Sequence, residues 1–468
     1  MESWALSETP RHQVVLDLDR ADRAIFEKIV LMPGSLRNVD VRDIGVDLFG
    51  RRWGAPLGIT PTSLAGIIWP SADLCKAKVA AALNILVLLS TASSHTIEEI
   101  ADVAPKQTWF QLYAMRDVEN VKDPLNRAHA AGIEVLVITV DLPVHAKRER
   151  DIRNGFVLPL ALTPGNLLEL ARCPRWCAAM LLAGPPRYAN FEPYFKTKRM
   201  RRVSRNAFIA SQAGATFGLA ALERLRQSWP GKLVVKGLIA AQDVADVAAR
   251  GMDGVILSNH GRRQFDAGPA PIVSVQAAVD AAKGRLEVML DSGIRRGVDV
   301  IRSRALGASF TFVGRAPLHG VAAGRGLAGM EKAMQILLSE IDRGIAMLGY
   351  NRFEDLDSGC LAAERAQTKS DDAIVERSGR WSDLCYCARR SAARSPARWS
   401  GWAIAIIALA RCWMESPRSE ATPNSVTTWV TYAAGIVACS TLGTMREKLG
   451  PAASSAITDP AAYAPAAA

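Results

Sequence analysis

Eight short runs that are apolar at almost every position recur along the first three quarters of the chain, at 56–61, 85–90, 108–113, 135–141, 233–237, 254–259, 288–293 and 310–315. Between them lie amphipathic segments such as 241–250 and 297–306, with apolar residues at helical spacing. Val, Ile, Leu, Phe and Thr dominate the runs, and strands that are continuously apolar are covered on both faces, as in a parallel sheet. Eight strand-plus-helix units predict an α/β fold of the (β/α)8 barrel type, in which functional groups gather at the carboxyl ends of the strands.

The predicted strand ends are polar in an ordered way. They carry Thr62, Ser90, Gln111 with Tyr113, Thr139 with Asp141, Lys236, Asn259 with His260, Asp291, and Arg315. Any single strand ends in polar loop residues, but polarity at all eight ends marks a site. The stretch 255–266, V-I-L-S-N-H-G-R-R-Q-F-D, places His260 just past a buried strand and Arg263 three residues on. Imidazole can act as a base near neutral pH, and guanidinium can grip a carboxylate through two parallel hydrogen bonds. Gly324, Gly326 and Gly329 spell G-x-G-x-x-G, but they do not directly follow a strand, so a nicotinamide fingerprint is not expected.

Charge changes the picture in one place. The chain has 468 residues and a net charge of +11, from 57 Lys and Arg against 46 Asp and Glu. The long connection at 145–206 holds 13 Lys and Arg against 4 Asp and Glu, so it supplies +9 of that total. It contains apolar stretches at 167–170 and 176–182, followed by Lys196, Lys198, Arg199, Arg201, Arg202 and Arg205. Apolar anchors followed by a basic cluster suit an anionic membrane surface. A solvated loop over the active site is the plain alternative, and no nucleic-acid-binding module accompanies the charge. The eight cysteines form no disulfide framework, Cys385 and Cys387 lack a nearby histidine, and no metal site is expected. The first 25 residues carry five acidic side chains and no long apolar stretch, which predicts neither a signal nor a transit peptide and hence a cytoplasmic protein. Past about residue 358 the composition shifts to 10 Arg against 2 Lys with an Ala-rich end, so the expected organisation is a barrel over 1–357, with the insert at about 157–210, and an appendage over 358–468. Within that appendage 401–410 is too short to span a bilayer, and 421–445 is uncharged up to its end but rich in Thr and Ser.

Over roughly residues 25–357 the sequence resembles the FMN-dependent (S)-2-hydroxy acid dehydrogenases and oxidases. The motifs run in the family's order: L-F-G at 48–50, P-T-S at 61–63, W-F-Q-L-Y at 109–113, T-V-D-L-P-V at 139–144 and K-R-E-R-D-I at 147–152. V-K-G at 235–237, S-N-H-G at 258–261, D-S-G-I-R-R-G at 291–297 and V-G-R at 313–315 follow. The insert, with C-P-R-W at 173–176 and A-N-F at 189–191, looks most like that of bacterial membrane-associated mandelate dehydrogenases. The resemblance implies FMN as cofactor and oxidation of a mandelate-like acid or lactate to the 2-oxo acid. It implies His260 as the base that removes a substrate proton and Asp141 as the carboxylate that stabilises the resulting imidazolium. Arg263 and Arg148 would hold the substrate carboxylate, with Tyr113 beside the reacting carbon. Lys236 would sit at the flavin N1/C2 carbonyl edge, Ser90, Gln111 and Thr139 along its polar edge, and Pro61, Thr62 and Ser63 against the ring. Ser258 and Asp291 join the cofactor set, and Gly293, Arg295, Gly314 and Arg315 would cradle the phosphate. A quinone-like acceptor, peripheral attachment to the inner face of the cytoplasmic membrane and a homo-oligomer, often a tetramer, are implied as well.

The sequence departs from the family's pattern at three points. Arg262 stands where S-N-H-G-G-R-Q carries a second glycine, and an arginine at a position needing positive φ predicts displacement of His260 or Arg263. Residues 1–30 contain no tyrosine, although family members usually bring a substrate-binding one there. Gly214 and Leu219 stand where relatives tend to carry Asp and Trp. Two rivals to an active enzyme follow: a catalytically impaired flavin-binding barrel, and a membrane-surface protein using the barrel as scaffold.

Overall fold

The computed structural model describes residues 13–113, 119–144, 173–184, 186–192, 216–324 and 326–362. Helix α1 (Gln13–Lys28) leads into a hairpin of β1 (Val46–Leu48) and β2 (Arg51–Trp53). The barrel units then follow as β3 (Leu57–Ile59) with α2 (Ala72–Leu83), β4 (Leu86–Ser90) with α3 (Ile97–Val103), and β5 (Thr108–Tyr113) with α4 (Glu119–Ala130). After β6 (Val135–Thr139) come α5 (Pro174–Ala183) and α6 (Leu219–Ser228), then β7 (Lys232–Leu238) with α7 (Ala241–Ala248) and β8 (Gly254–Leu257) with α8 (Val275–Ala282). The chain closes with β9 (Glu287–Leu290), α9 (Gly297–Ala305), β10 (Phe310–Val313), α10 (Arg315–Ala323) and α11 (Leu327–Met347).

Strands β3 to β10 pair in parallel in sequence order, and β10 closes on β3, so the fold is a (β/α)8 barrel. All eight apolar runs are barrel strands. They are buried along nearly their whole length, with Trp109 and Phe312 in contact across the interior and Phe310 against Phe312. The hairpin β1–β2 was not legible as apolar periodicity, because Asp47 and Arg52 face outward. Its two-residue turn at Phe49–Gly50 has positive φ at both positions, as a tight hairpin requires. The turn places the Phe49 ring 5.5 Å from Trp109, near the starts of β7 and β8, and so plugs the amino end of the barrel. Helix α11 buries Met330, Met334, Leu337, Ile341 and Ile345 at spacings of three and four, the stripe of an amphipathic helix. Gly324 backs directly on Gly329 where α10 meets α11, so the G-x-G-x-x-G run serves helix packing.

The first compact unit extends through Ala362. Residues 358–362 belong to the barrel body, since Leu361 bridges Leu31 and the Ala362 N–H donates to Val30. The rest of the 358–468 appendage lies outside the described residues, as do most of the basic insert and its Lys196–Arg205 cluster.

Candidate active site

The carboxyl ends of the strands build one polar mouth. The segment V-K-G in β7 carries a register shift between Lys236 and Leu238, with Gly237 at φ 107°. A side chain on Gly237 would stand 2.6 Å from the Asp141 Cβ, so glycine is what lets β6 and β7 close up here. Lys236 is buried, and its Nζ lies 2.8 Å from Asp291 Oδ2 and donates to Ser258 Oγ at 2.7 Å. Burial opposes the ammonium, but Asp291 and Asp141 outweigh it and hold the Lys236 pKa above its usual value. Burial likewise opposes the Asp291 carboxylate, and Lys236, with the Ser258 and Ser292 hydroxyls, brings its pKa below the usual range. Both therefore carry charge through the neutral range.

Beside this pair, Gln111 Nε2 donates to Thr139 Oγ1 at 2.9 Å, and Ser90 accepts from the Ala92 N–H. Gln111 Oε1 is buried without a hydrogen-bond partner. Such an atom needs a ligand polar group or water opposite it. Tyr113, at the end of β5, shares a 3.0 Å hydrogen bond with Ser63 in the loop after β3, which also holds Pro61 and Thr62.

His260 opens a short 3-10 turn after β8. Its Nδ1 lies 3.1 Å from Asp141 Oδ2, while Asp141 Oδ1 is buried without a partner. With the Nδ1 proton directed at Asp141, Nε2 is left to accept one. The turn is unusual because His260, Gly261 and Arg262 have φ of 56°, 63° and 58°, three left-handed residues in succession. Arg263 follows immediately, with its N–H toward the His260 carbonyl.

The last two strands supply an anion cradle. Ser292 and Gly293 after β9 both have positive φ, and a side chain on Gly293 would meet the Phe26 ring at 2.7 Å. Asp299 accepts the Arg295 N–H, and Gly314 caps α10, whose first residue is Arg315. A helix start that opens on an arginine, after barrel strand eight, suits a phosphate. Arg315 also donates to the Gly261 carbonyl at 2.7 Å, which ties the cradle to the His260 turn.

All the expected site residues except Arg148 lie among these strand-end segments, whereas Arg148 and Gly214 are outside the described residues. Leu219 opens α6. Arg262 does occupy a left-handed position, yet His260 keeps its bond to Asp141. The arginine side chain turns instead to Asp22 of α1, with Nε 2.7 Å from Oδ1. Asp22 and Ser292 are site-building residues that sequence reasoning missed. Asn259 already stood among the polar strand ends, but the only sign of the pairing was an uncompensated arginine at a glycine position.

The residues fit a flavin phosphate and polar ring edge, and the chain is similar to known flavin enzymes. Residues 17–363 match the family model described as FMN-dependent dehydrogenase. The chain is 38% identical over 343 residues to (S)-mandelate dehydrogenase of Pseudomonas putida, covering 73% of this chain and 86% of that one. It is 35% identical to a putative L-lactate dehydrogenase of Mycobacterium tuberculosis, covering 73% and 80% respectively. Among solved structures, that of the monotopic membrane protein (S)-mandelate dehydrogenase superposes with a TM-score of 0.69 at 36% identity, covering 74% of this chain and 91% of that one. Barrel, strand-end chemistry and sequence agree, and the chain belongs to the FMN-dependent dehydrogenase family.

Proposed function

We propose that this protein oxidises an (S)-2-hydroxy acid to the 2-oxo acid, with mandelate-like aromatic acids ahead of lactate. FMN is the cofactor, and when bound it supplies the acceptor for the two electrons that leave the substrate. The observation that carries the reading is the His260–Asp141 pair at 3.1 Å, at the same barrel mouth as the buried Lys236–Asp291 pair. His260 takes a substrate proton at Nε2, and Asp141 stabilises the cation that forms. Arg263 and Arg148 hold the substrate carboxylate, and Tyr113 bonds the substrate beside the reacting carbon. Lys236 balances negative charge at the flavin edge. When FMN binds, Gln111, Thr139, Ser90, Ser258 and Asp291 would set the polar surroundings of the ring, Pro61, Thr62 and Ser63 would face it, and Gly293, Arg295, Gly314 and Arg315 would hold the phosphate. The bond between Arg262 and Asp22 supports the active reading over an impaired barrel, because the His260 turn is kept.

The test is an anaerobic visible spectrum of the FMN-loaded protein before and after (S)-mandelate and then (S)-lactate. Bleaching of the flavin band is expected, more readily with mandelate. A band that persists with both acids would sink the proposal. Within the site, Ser63→Ala removes the partner of the Tyr113 hydroxyl and is expected to lower kcat/KM by about 3- to 10-fold, the worth of one hydrogen bond. An unchanged value in steady-state assays would show that this bond does not orient the tyrosine.

We further propose that the electrons pass to a quinone-like acceptor, with the protein seated peripherally on the inner face of the cytoplasmic membrane. No helix among the described residues is long and apolar enough to cross a bilayer. In α5, Trp176 Nε1 donates to the Ile67 and Ile68 carbonyls and so fastens the helix to the barrel, while Leu181 and Leu182 are 84% and 91% exposed. The double substitution Leu181→Asp, Leu182→Asp is expected to weaken binding to phosphatidylglycerol-containing vesicles by about tenfold or more, since two leucines no longer enter the interface. Flavin reduction should be unaffected. Sedimentation with vesicles decides, and undiminished binding would remove α5 from the membrane surface.

A further inference from the structure

Asp22 lies in α1, outside the barrel strands, and has no place in the chemistry above. Its side chain is 2% exposed, and that of its partner Arg262 is 13% exposed. Its carboxylate meets the Arg262 guanidinium at 2.7 Å and also accepts from Asn259 Nδ2 at 3.2 and 3.1 Å. Asn259 in turn uses its side-chain oxygen to accept the backbone N–H of Arg262 at 3.2 Å. Arg262 completes the fastening by donating to the Asp266 carbonyl at 2.8 Å. The residues enclosed by these bonds are the three left-handed ones, His260, Gly261 and Arg262. Two of them carry side chains in a backbone region that disfavours them, and such a conformation persists only where its surroundings over-determine it. The same face of α1 also packs on the phosphate cradle, where a Gly293 side chain would run into Phe26 and Asp22.

We propose that Asp22 is a positioning residue that, paired with Arg262, holds the His260 turn in register with Asp141, so that the arginine at this glycine position is an integral part of the site. The inference deepens the proposed function, since it rests on His260 being the base. It requires the two charges to stand or fall together. Removing Asp22 alone leaves a guanidinium unpaired in a largely buried position, and removing Arg262 alone leaves a buried carboxylate with only an amide for a partner. Removing both leaves a neutral residue beside Asn259 and a glycine where left-handed φ is undemanding.

The test compares the FMN-loaded full chain with Asp22→Asn, Arg262→Gly and the double variant. Each single substitution is expected to slow anaerobic flavin reduction by saturating (S)-mandelate by about 10- to 100-fold, the cost of a misplaced base. The double variant is expected to return to within about threefold of the parent, a coupling that independent sites do not show. The His260 ring resonances of histidine-labelled holoprotein give a readout that needs no turnover, displaced in each single variant and restored in the double. Arg262→Lys, which keeps a charge opposite Asp22, should leave them near their parental positions. An Asp22→Asn protein that fails to fold while the double variant folds is the same rescue in extreme form. Singles that match the parent in rate and resonances, or a double variant showing the product of both losses, would overturn the pairing. A parent that no acid bleaches, with the resonances still following the coupled pattern, would instead overturn the proposed substrate and leave the positioning role standing.

Discussion

Replacing His260 by Asn is expected to slow reduction of the bound flavin by (S)-mandelate by about 10²- to 10⁴-fold, the usual worth of a positioned proton acceptor. Asparagine suits the test for a backbone reason. Position 260 has φ 56°, and asparagine is among the few residues that accept the left-handed region readily. The neighbouring bonds from the His260 backbone N–H to Ser258 Oγ and from Arg315 to the Gly261 carbonyl do not use the imidazole, so the turn survives the change. What is lost is the Nε2 proposed to take the substrate proton and the Nδ1 contact with Asp141. FMN content and thermal midpoint should therefore stay close to the parent while the stopped-flow rate falls. A variant that bleaches at the parental rate would assign the proton to another group.

The barrel itself was legible because its strands are buried on both faces, and the burial of the strands follows the apolar runs of the sequence closely. Strand ends were less sharp. His260, Asp141 and Asp291 lie just beyond the last paired residues, so they are loop residues held by strands. The motif V-K-G illustrates how much a sequence conceals, for the glycine is needed because Asp141 passes within van der Waals contact of it. That closeness depends on the pairing of β6 with β7, across the longest connection in the barrel. The Asp22–Arg262 pair was illegible for the same reason. Its members are 240 positions apart, and only the docking of α1 on the mouth brings them together. Arg262 could be singled out as a departure, but the residue that accommodates it could not be found without the fold.

The other large effect is expected from Lys236→Met, which removes the buried cation but preserves much of the side chain's length. Asp291 would keep the Thr60 hydroxyl at 3.0 Å and Ser292 at 2.9 Å but lose the charge that balances it. Breaking a buried pair from one side costs about 3–5 kcal/mol, so the variant should unfold at a clearly lower temperature and retain FMN poorly. Adding Asp291→Asn removes the stranded carboxylate and should recover most of the thermal stability. It should not recover flavin reduction, because no cation then faces the developing charge at the flavin edge. A Lys236→Met, Asp291→Asn protein that is stable, loads FMN and is still bleached at the parental rate would refute the electrostatic role of Lys236. The pH dependence supplies an independent check on sign. The Asp291 pKa is depressed, so its contribution to stability is complete above the ordinary 3.8 and is lost only as pH falls through the lower folded value. The Lys236 pKa is raised, so its contribution is complete below 10.5 and is lost only as pH rises through the higher folded value. Between those limits the pair gives the parent no pH dependence, whereas in Lys236→Met burial of Asp291 is no longer offset, so the deficit of the variant should shrink as pH falls and the carboxylate takes up a proton. A slope near neutrality in the stability difference between the parent and the Lys236→Met, Asp291→Asn protein, which lacks both groups, would mean that one of the two is neutral in the folded parent.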